Sequence, residues 1–514
     1  MKFPKHLESI SHTRIYPLFF FIMGSLARLY KLTFYSLTGD EMLTIKHGRW
    51  DFITLINRVA YVNIPDADIA PPLYYLVLFT WFRLFGSTDF TGRLLSAFLG
   101  IGALVALYYW SKSIFSKNER LIALIIFSIH PFHVWYSQEI RMYALISFLV
   151  IGSCFFQLKY LNSMERKDLF IYFFFTLASV FTQYYYFFVL FAQNLCFFIF
   201  LIFYHKEDNK RRILFSWLLG QILLATCFLF WLKPFLNDLK VLGTSTGFQY
   251  GFSLANIPFT FLKVGFYAVR TYVLANLPLY SVLVAATLFS IIGFYLHYKK
   301  EKIVPFKILY LAIVILFPIV SLLSIAAIKR FAFRPHALVL LTPLFSLFIA
   351  CGISCWTKKI QSVLIVIFLI SFSYILITLN FGNEYTKPKI KDACNYIKTK
   401  AGKDALIINL PFMLPLPSIV NLPGSYQVWT YYLPEYKNNY LPTGENEIEI
   451  IDHIRSKSDK SNDFFVTYHD FIFARPYLNK VLFNLEKDHD IVDKKTFASK
   501  IDDFDIIVIR YKKK

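Results

Sequence analysis

The chain has 514 residues, 56% hydrophobic and 19% aromatic, with 54 Lys and Arg against 33 Asp and Glu. A mean hydropathy of +0.49 excludes an ordinary soluble domain. The net charge of +21 raises nucleic acid as a partner, but residues 1–380 carry +19 of it, concentrated in short segments between apolar runs (205–212, 297–302, 357–359), while residues 381–514 carry only +2; that is the pattern of cytosolic loops, not of a phosphate-binding face.

The N-terminus "MKFPKHLESISHTR" is basic, lacks a small-residue cleavage site and reads as the start of an uncleaved first span. Alternating basic loops against apolar runs predicts a mainly α, polytopic membrane protein with about 11 transmembrane helices. They lie at about 15–34, 92–111, 120–136, 142–160, 169–186, 187–204, 213–232, 270–296, 308–327, 335–355 and 361–379. Residues 35–90 form a first outer loop. Within it "APPLYYLVLFTWFRLFG" (70–86) is short and interrupted by Arg83, so it reads as re-entrant or interfacial. Residues 43–58 alternate Leu43, Trp50, Ile53 and Ile56 with Lys46, His47, Arg49 and Arg58, an interfacial pattern. The domains expected are therefore a membrane domain, 1–380, and an extracytoplasmic tail, 381–514. In the tail, strand-like runs ("ALIINL", "DFFVTY", "DIIVIRY") alternate with charged helical patterns, which predicts a small α/β domain.

No GxGxxG or GxxxxGK[ST] motif occurs, so direct use of a nucleotide at a Gly-rich loop has no support. Six cysteines suggest neither a disulfide framework nor a metal cluster. His130 and His133 flank Pro131 and are too few for a metal site, so no cofactor is assigned and a divalent metal is unsupported.

On this topology five polar groups gather at the outer face: Asp40/Glu41, Asp66/Asp68, Arg93, "YSQEIRMY" (136–143) and "KRFAFR" (329–334). Charges beside hydrocarbon need a reason. "TGDE" (38–41) fits a capping box with Thr38 as N-cap and Glu41 at N3. Asp40 is not needed for that box and is a candidate general base. Arg93 reads either as a snorkelling cation or as a fork for phosphate. Glu139 and Tyr143, and Ser137 and Arg141, stand at helical spacing; a tight outer turn balancing Glu139 against Arg141 is the other reading. Lys329, Arg330 and Arg334 lie where the charge rule does not want cations, which points to an anionic partner such as a lipid phosphate.

Taken together, the chain resembles the integral-membrane GT-C glycosyltransferases that use polyprenyl-phosphate sugars. It is similar to the family 39/83 branch, related to protein O-mannosyltransferases, aminoarabinose transferases of lipid A and RgtA/B/C/D-like galacturonosyltransferases. The resemblance is carried by "GDE" (39–41), "PPLYYLVLFTWFRLFGSTDFTGRLLSAFLG" (71–100), "SIHPFHVWYSQEIRMYAL" (128–145) and "RFAFRPHALVLLTPL" (330–344), with "KIKDACNYIKTKAGKDALIINL" (389–410) matching the start of the outer C-terminal region. It implies Asp40 as catalytic base with Glu41 positioning substrate beside it. Arg93 and Arg141 would organise the site or hold the donor phosphate, and the cations at 329–334 would meet the polyprenyl phosphate. Two family histidines are replaced by Ala70 and Gln183, so no metal or proton-relay role is carried over.

The function expected is inverting transfer of a sugar from a polyprenyl-phosphate donor to a cell-envelope acceptor at the outer face of the cytoplasmic membrane. The acceptor class stays open between lipid A or a glycolipid, a polysaccharide and a protein hydroxyl; membrane lipids are partners and nucleic acid is not. The alternative is a transporter or flippase of lipid-linked sugars, which would favour ionisable groups at mid-membrane.

Overall fold

The computed structural model describes residues 15–60, 70–205, 209–244, 256–267, 269–299, 305–329, 335–382, 389–410, 423–436, 438–440, 447–458, 461, 463–470, 475–498 and 505–514. Asp66, Asp68, Arg330 and Arg334 lie outside these residues, and the side chain of Lys329 is likewise not described. The chain forms two compact units: residues 1–32, 50–62 and 69–377, and residues 33–49, 63–68 and 378–514.

The first unit is helical. Among the described residues eight helices are long and apolar enough to cross a membrane: Asp89–Ser113, Tyr143–Ser163, Tyr186–Tyr204, Lys210–Leu229, Leu277–Tyr298, Phe306–Ile328, His336–Ser354 and Lys358–Asn380. They coincide with eight of the eleven expected spans. The other three are shorter helices. Ile15–Leu29 and Arg166–Val180 have 15 residues each. The expected span at 120–136 divides into Lys117–Ser128 and Pro131–Tyr136, because Pro131 lacks the N–H needed to continue a helix and opens a new one. Leu73–Phe85 has 13 residues, about 20 Å of helix at 1.5 Å per residue and short of a span. The stretch expected to be interfacial is two helices, Gly39–Arg49 and Phe52–Ala60, because Asp51 restarts the backbone by accepting the Thr54 N–H at 3.0 Å.

Polar side chains inside this unit tie helices together. Gln193 accepts from Tyr186 Oη at 3.0 Å and donates to Ser153 Oγ at 3.1 Å; Gln157 donates to the Gln193 carbonyl at 2.8 Å and accepts from Tyr310 Oη at 2.7 Å. Away from water such bonds have no competing solvent partner. Trp217 stacks on Phe197 with centroids 4.1 Å apart and donates to Asn194 Oδ1 at 2.9 Å. Glycines permit close approach elsewhere. A Cβ on Gly293 would lie 2.8 Å from the Gly352 carbonyl oxygen, and one on Gly352 would press on the Ser290 carbonyl.

The second unit contains a five-stranded sheet: β1 (Leu406–Asn409), β2 (Asn439–Tyr440), β3 (Asp463–Asp470), β4 (His489–Phe497) and β5 (Asp505–Lys513), in the order β2-β1-β3-β5-β4. β1 is parallel to β2 and β3, whereas β5 is antiparallel to β3 and β4. The helix Ile390–Lys400 leads into β1, as its sequence predicts. Ile408, Phe464, Val466 and Ile509 build the core with Ile450 and Ile454 from Glu447–Ser458 and Val481 and Leu485 from Arg475–Asp488. β4 is an edge strand with most side chains exposed, and a bulge falls between Ile491 and Asp493.

Two outcomes follow. Gly352→Ala lowers thermal stability of the purified protein by about 1–3 kcal/mol, because backbone rather than a side-chain tip blocks the added methyl; an unchanged melting temperature contradicts this packing. In β3, burial holds the His469 pKa down at about 4. The unfolded chain binds that proton below pH ~6.5 while the folded one refuses it to about pH 4, so stability falls as pH drops through this window, by on the order of 3 kcal/mol. Hydrogen exchange of β3 amides at pH 7 and pH 4, corrected for the intrinsic exchange rate, measures the loss, which His469→Gln reduces.

Candidate active site

Asp40 and Glu41 lie in the first turn of Gly39–Arg49, in the second unit. The capping box is present. The Glu41 N–H donates to Thr38 Oγ1 at 3.2 Å, and Glu41 Oε2 accepts from the Thr38 N–H at 3.0 Å. Thr44 Oγ1 donates to the Asp40 carbonyl at 2.8 Å. The segment ahead of the helix is held by the same unit. Lys391 donates from its backbone N–H to Ser36 Oγ at 3.0 Å and from Nζ to the Thr33 carbonyl at 2.9 Å. Leu37 N–H donates to Tyr432 Oη at 3.0 Å, and Tyr35 Oη donates to the Asn380 carbonyl.

The two acids have different surroundings. Glu41 is fully buried; Asp40 is exposed, and its carboxylate has no partner among the described residues. A buried carboxylate at N3 completes the helix start and favours the positive end of its dipole. An exposed carboxylate without a partner keeps its lone pairs for a ligand.

Arg93, Glu139, Arg141 and Tyr143 lie in the first unit. Arg93 is the fifth residue of the helix beginning at Asp89, is 1% exposed and donates from Nη1 to the Leu32 carbonyl at 2.7 Å. Its head is therefore not at the surface, as snorkelling requires. The helical spacing expected for 137–143 is absent. The short helix ends at Tyr136, the next begins at Tyr143, and between them the Arg141 N–H donates to the Glu139 carbonyl at 2.8 Å in a tight turn. Arg141 and Tyr143 are buried, and the half-buried Glu139 accepts from Trp135 Nε1 at 3.1 Å. Tyr136 packs edge-on to Tyr143 and stacks on His336.

Three residues of this unit were not singled out by the sequence. Arg28 is fully buried; Nη1 donates to the Gly24 and Ser128 carbonyls at 2.8 and 2.7 Å, and Nη2 to the Phe127 carbonyl at 3.2 Å, with His133 Nδ1 at 2.9 Å. Gln138 Nε2 lies 2.7–3.2 Å from the carbonyls of Ala27, Arg28 and Tyr30. A cation inside the apolar run "SLARLY" was the signal for Arg28. Tyr267 is buried at φ 63°, stacked on Phe132 with centroids 5.5 Å apart. A bulky residue in the left-handed region is strained by about 1–3 kcal/mol, and no sequence signal marks it. Among the described residues no cluster of three or more His, Cys, Asp or Glu could hold a metal ion.

Residues 70–231 match the family of dolichyl-phosphate-mannose-protein mannosyltransferases. The fold is similar to that of ArnT from Cupriavidus metallidurans in the apo state, with a TM-score of 0.56 at 11% identity over 96% of this chain and 97% of that one. ArnT bound to undecaprenyl phosphate aligns with a TM-score of 0.55, again at 11% identity over 96% and 97% of the two chains. No curated protein matches the chain by sequence. The chain therefore has a fold like that of ArnT, residues 70–231 match a mannosyltransferase family, and the eight long apolar helices are those of a multi-pass membrane protein.

Proposed function

We propose that the protein transfers a sugar from a polyprenyl-phosphate donor to a hydroxyl of a cell-envelope acceptor, at the outer face of the cytoplasmic membrane, with Asp40 as the base. The observation that carries this reading is the contrast between the neighbouring acids: Glu41 is buried in the helix cap, while Asp40 is exposed with no partner among the described residues. The likeness in fold to a protein solved with undecaprenyl phosphate supports the donor class, and the absence of a Gly-rich phosphate loop from the sequence agrees with a donor that is not a nucleotide.

In this mechanism the acceptor oxygen attacks the anomeric carbon as the bond to the phosphate oxygen breaks. The acceptor proton passes to Asp40, and the anomeric centre inverts. The polyprenyl phosphate departs with the bonding electrons, and Arg141 with Lys329, Arg330 and Arg334 stabilises the charge it gains. Arg93 acts by fixing the end of the chain segment that leads to residue 33, and Glu41 by setting the helix start that presents Asp40. Glu139 and Tyr143 shape the neighbourhood of Arg141. The second unit is extracytoplasmic in this reading.

Asp40→Asn, assayed in reconstituted vesicles with a lipid-linked sugar, lowers transfer about 10²–10⁴-fold; undiminished transfer removes Asp40 as the base. A flippase would move labelled lipid-linked sugar across the vesicle membrane without transferring it. Thr38→Ala removes the side-chain half of the cap, costs about 1 kcal/mol of local helix stability and reduces transfer less than Asp40→Asn does. Faster hydrogen exchange at the amides of 39–42 reports the loosened helix start.

A further inference from the structure

The helix Gly39–Arg49 also borders a cavity. An open cavity of about 520 Å³ is lined by Met42, Lys46 and Arg49 of this helix and by Thr430, Tyr431 and Pro434, all within the second unit. Lys46 and Arg49 are three residues apart and Met42 four before Lys46, so the three share one side of the helix. The Arg49 guanidinium lies 5.9 Å from the centre of the Tyr431 ring. The volume falls within the ~300–1,000 Å³ of small-ligand sites. The helix dipole accounts for cations in a last turn. It does not account for two of them converging on a cavity with an aromatic wall.

At 100° per residue Arg49 projects about half a turn from Asp40 and Lys46 about a third of a turn. They lie roughly 9–14 Å farther along the axis. The cavity is therefore distinct from the place where the Asp40 carboxylate acts. A ligand engaging both would extend beyond a single sugar ring.

We infer that this cavity is a subsite for an anionic saccharide, the distal part of the acceptor glycan. Its carboxylate or phosphate pairs with Lys46 and Arg49, and the C–H face of a sugar ring lies against Tyr431 and Met42. The assignment rests on the glycosyltransferase reading for the word acceptor; the anion site itself rests on the cavity. The chemistry favours a saccharide over an acyl chain, because the lining sets two cations and Thr430 beside the apolar Met42, Tyr431 and Pro434, and a sugar acid or sugar phosphate uses both kinds of wall whereas an acyl chain leaves the cations unused.

The test is calorimetric titration of the full-length protein in phosphatidylcholine nanodiscs, which present no anionic lipid. The probes are trigalacturonate, glucose 6-phosphate and neutral maltotriose. At least one anionic probe binds, and maltotriose binds at least about tenfold more weakly. Trigalacturonate alone binding identifies a carboxylate ligand; glucose 6-phosphate alone, a phosphate. Lys46→Gln and Arg49→Gln each weaken the anionic probe about tenfold with unchanged melting temperature, Lys46→Arg retains it, and Asp40→Asn binds as the parent does. Equal binding of charged and neutral probes, binding indifferent to Lys46→Gln and Arg49→Gln, or no binding of either anion overturns the subsite. Because binding is read without turnover, lost transfer with retained binding counts against the catalytic reading alone, and lost binding with active transfer against the subsite alone.

Discussion

A helix that stops inside an apolar bundle leaves its last carbonyls without partners, and no water is at hand to supply them. The helix Lys117–Ser128 stops in this way, and the buried guanidinium of Arg28 meets its Phe127 and Ser128 carbonyls. The planar fork suits this task. It reaches two carbonyls across the helix pair, one within its own helix and the ring of His133 at once. The partial negative charge of a helix C-terminus also offsets the cation, so its partners here are dipoles rather than a carboxylate. His133 sits in the short helix that follows, and Gln138, just beyond it, caps the helix from which Arg28 projects. The turn carrying Glu139 and Arg141 is thus braced from both sides by groups whose first duty is to satisfy helix ends.

The second unit solves a different problem, which is to expose one carboxylate while burying its neighbour. The cap fixes Glu41 in the protein and turns Asp40 outward, so adjacent acids share a helix turn without sharing an environment. The same helix carries Lys46 and Arg49 at its other end, so one element holds an exposed carboxylate and two cations on different sides.

The sequence made local features legible. The capping box needs only spacing, and eight long spans need only composition. Pro131 advertised a break that the apolar run around it concealed, and the same break cancelled the helical spacing read into residues 137–143. β4 escaped notice because its charged, exposed side chains carry no alternating apolar pattern. Least legible was the membership of residues 33–49 in a unit with residues 378–514. Neither stretch encodes the other by pattern; only long-range contacts such as Leu37 with Tyr432 join them.

That discontinuous membership bears on biosynthesis. The segment containing Asp40 leaves the ribosome about 330 residues ahead of its partners. At ~5–20 residues per second the wait is roughly a quarter of a minute to a minute. During that time the helical spans between them are inserted and packed by contacts of shorter range, and the early segment stays without its final surroundings. The carboxylate-bearing helix consequently finds its place only after residues 378–514 are made, although it is synthesised well before them.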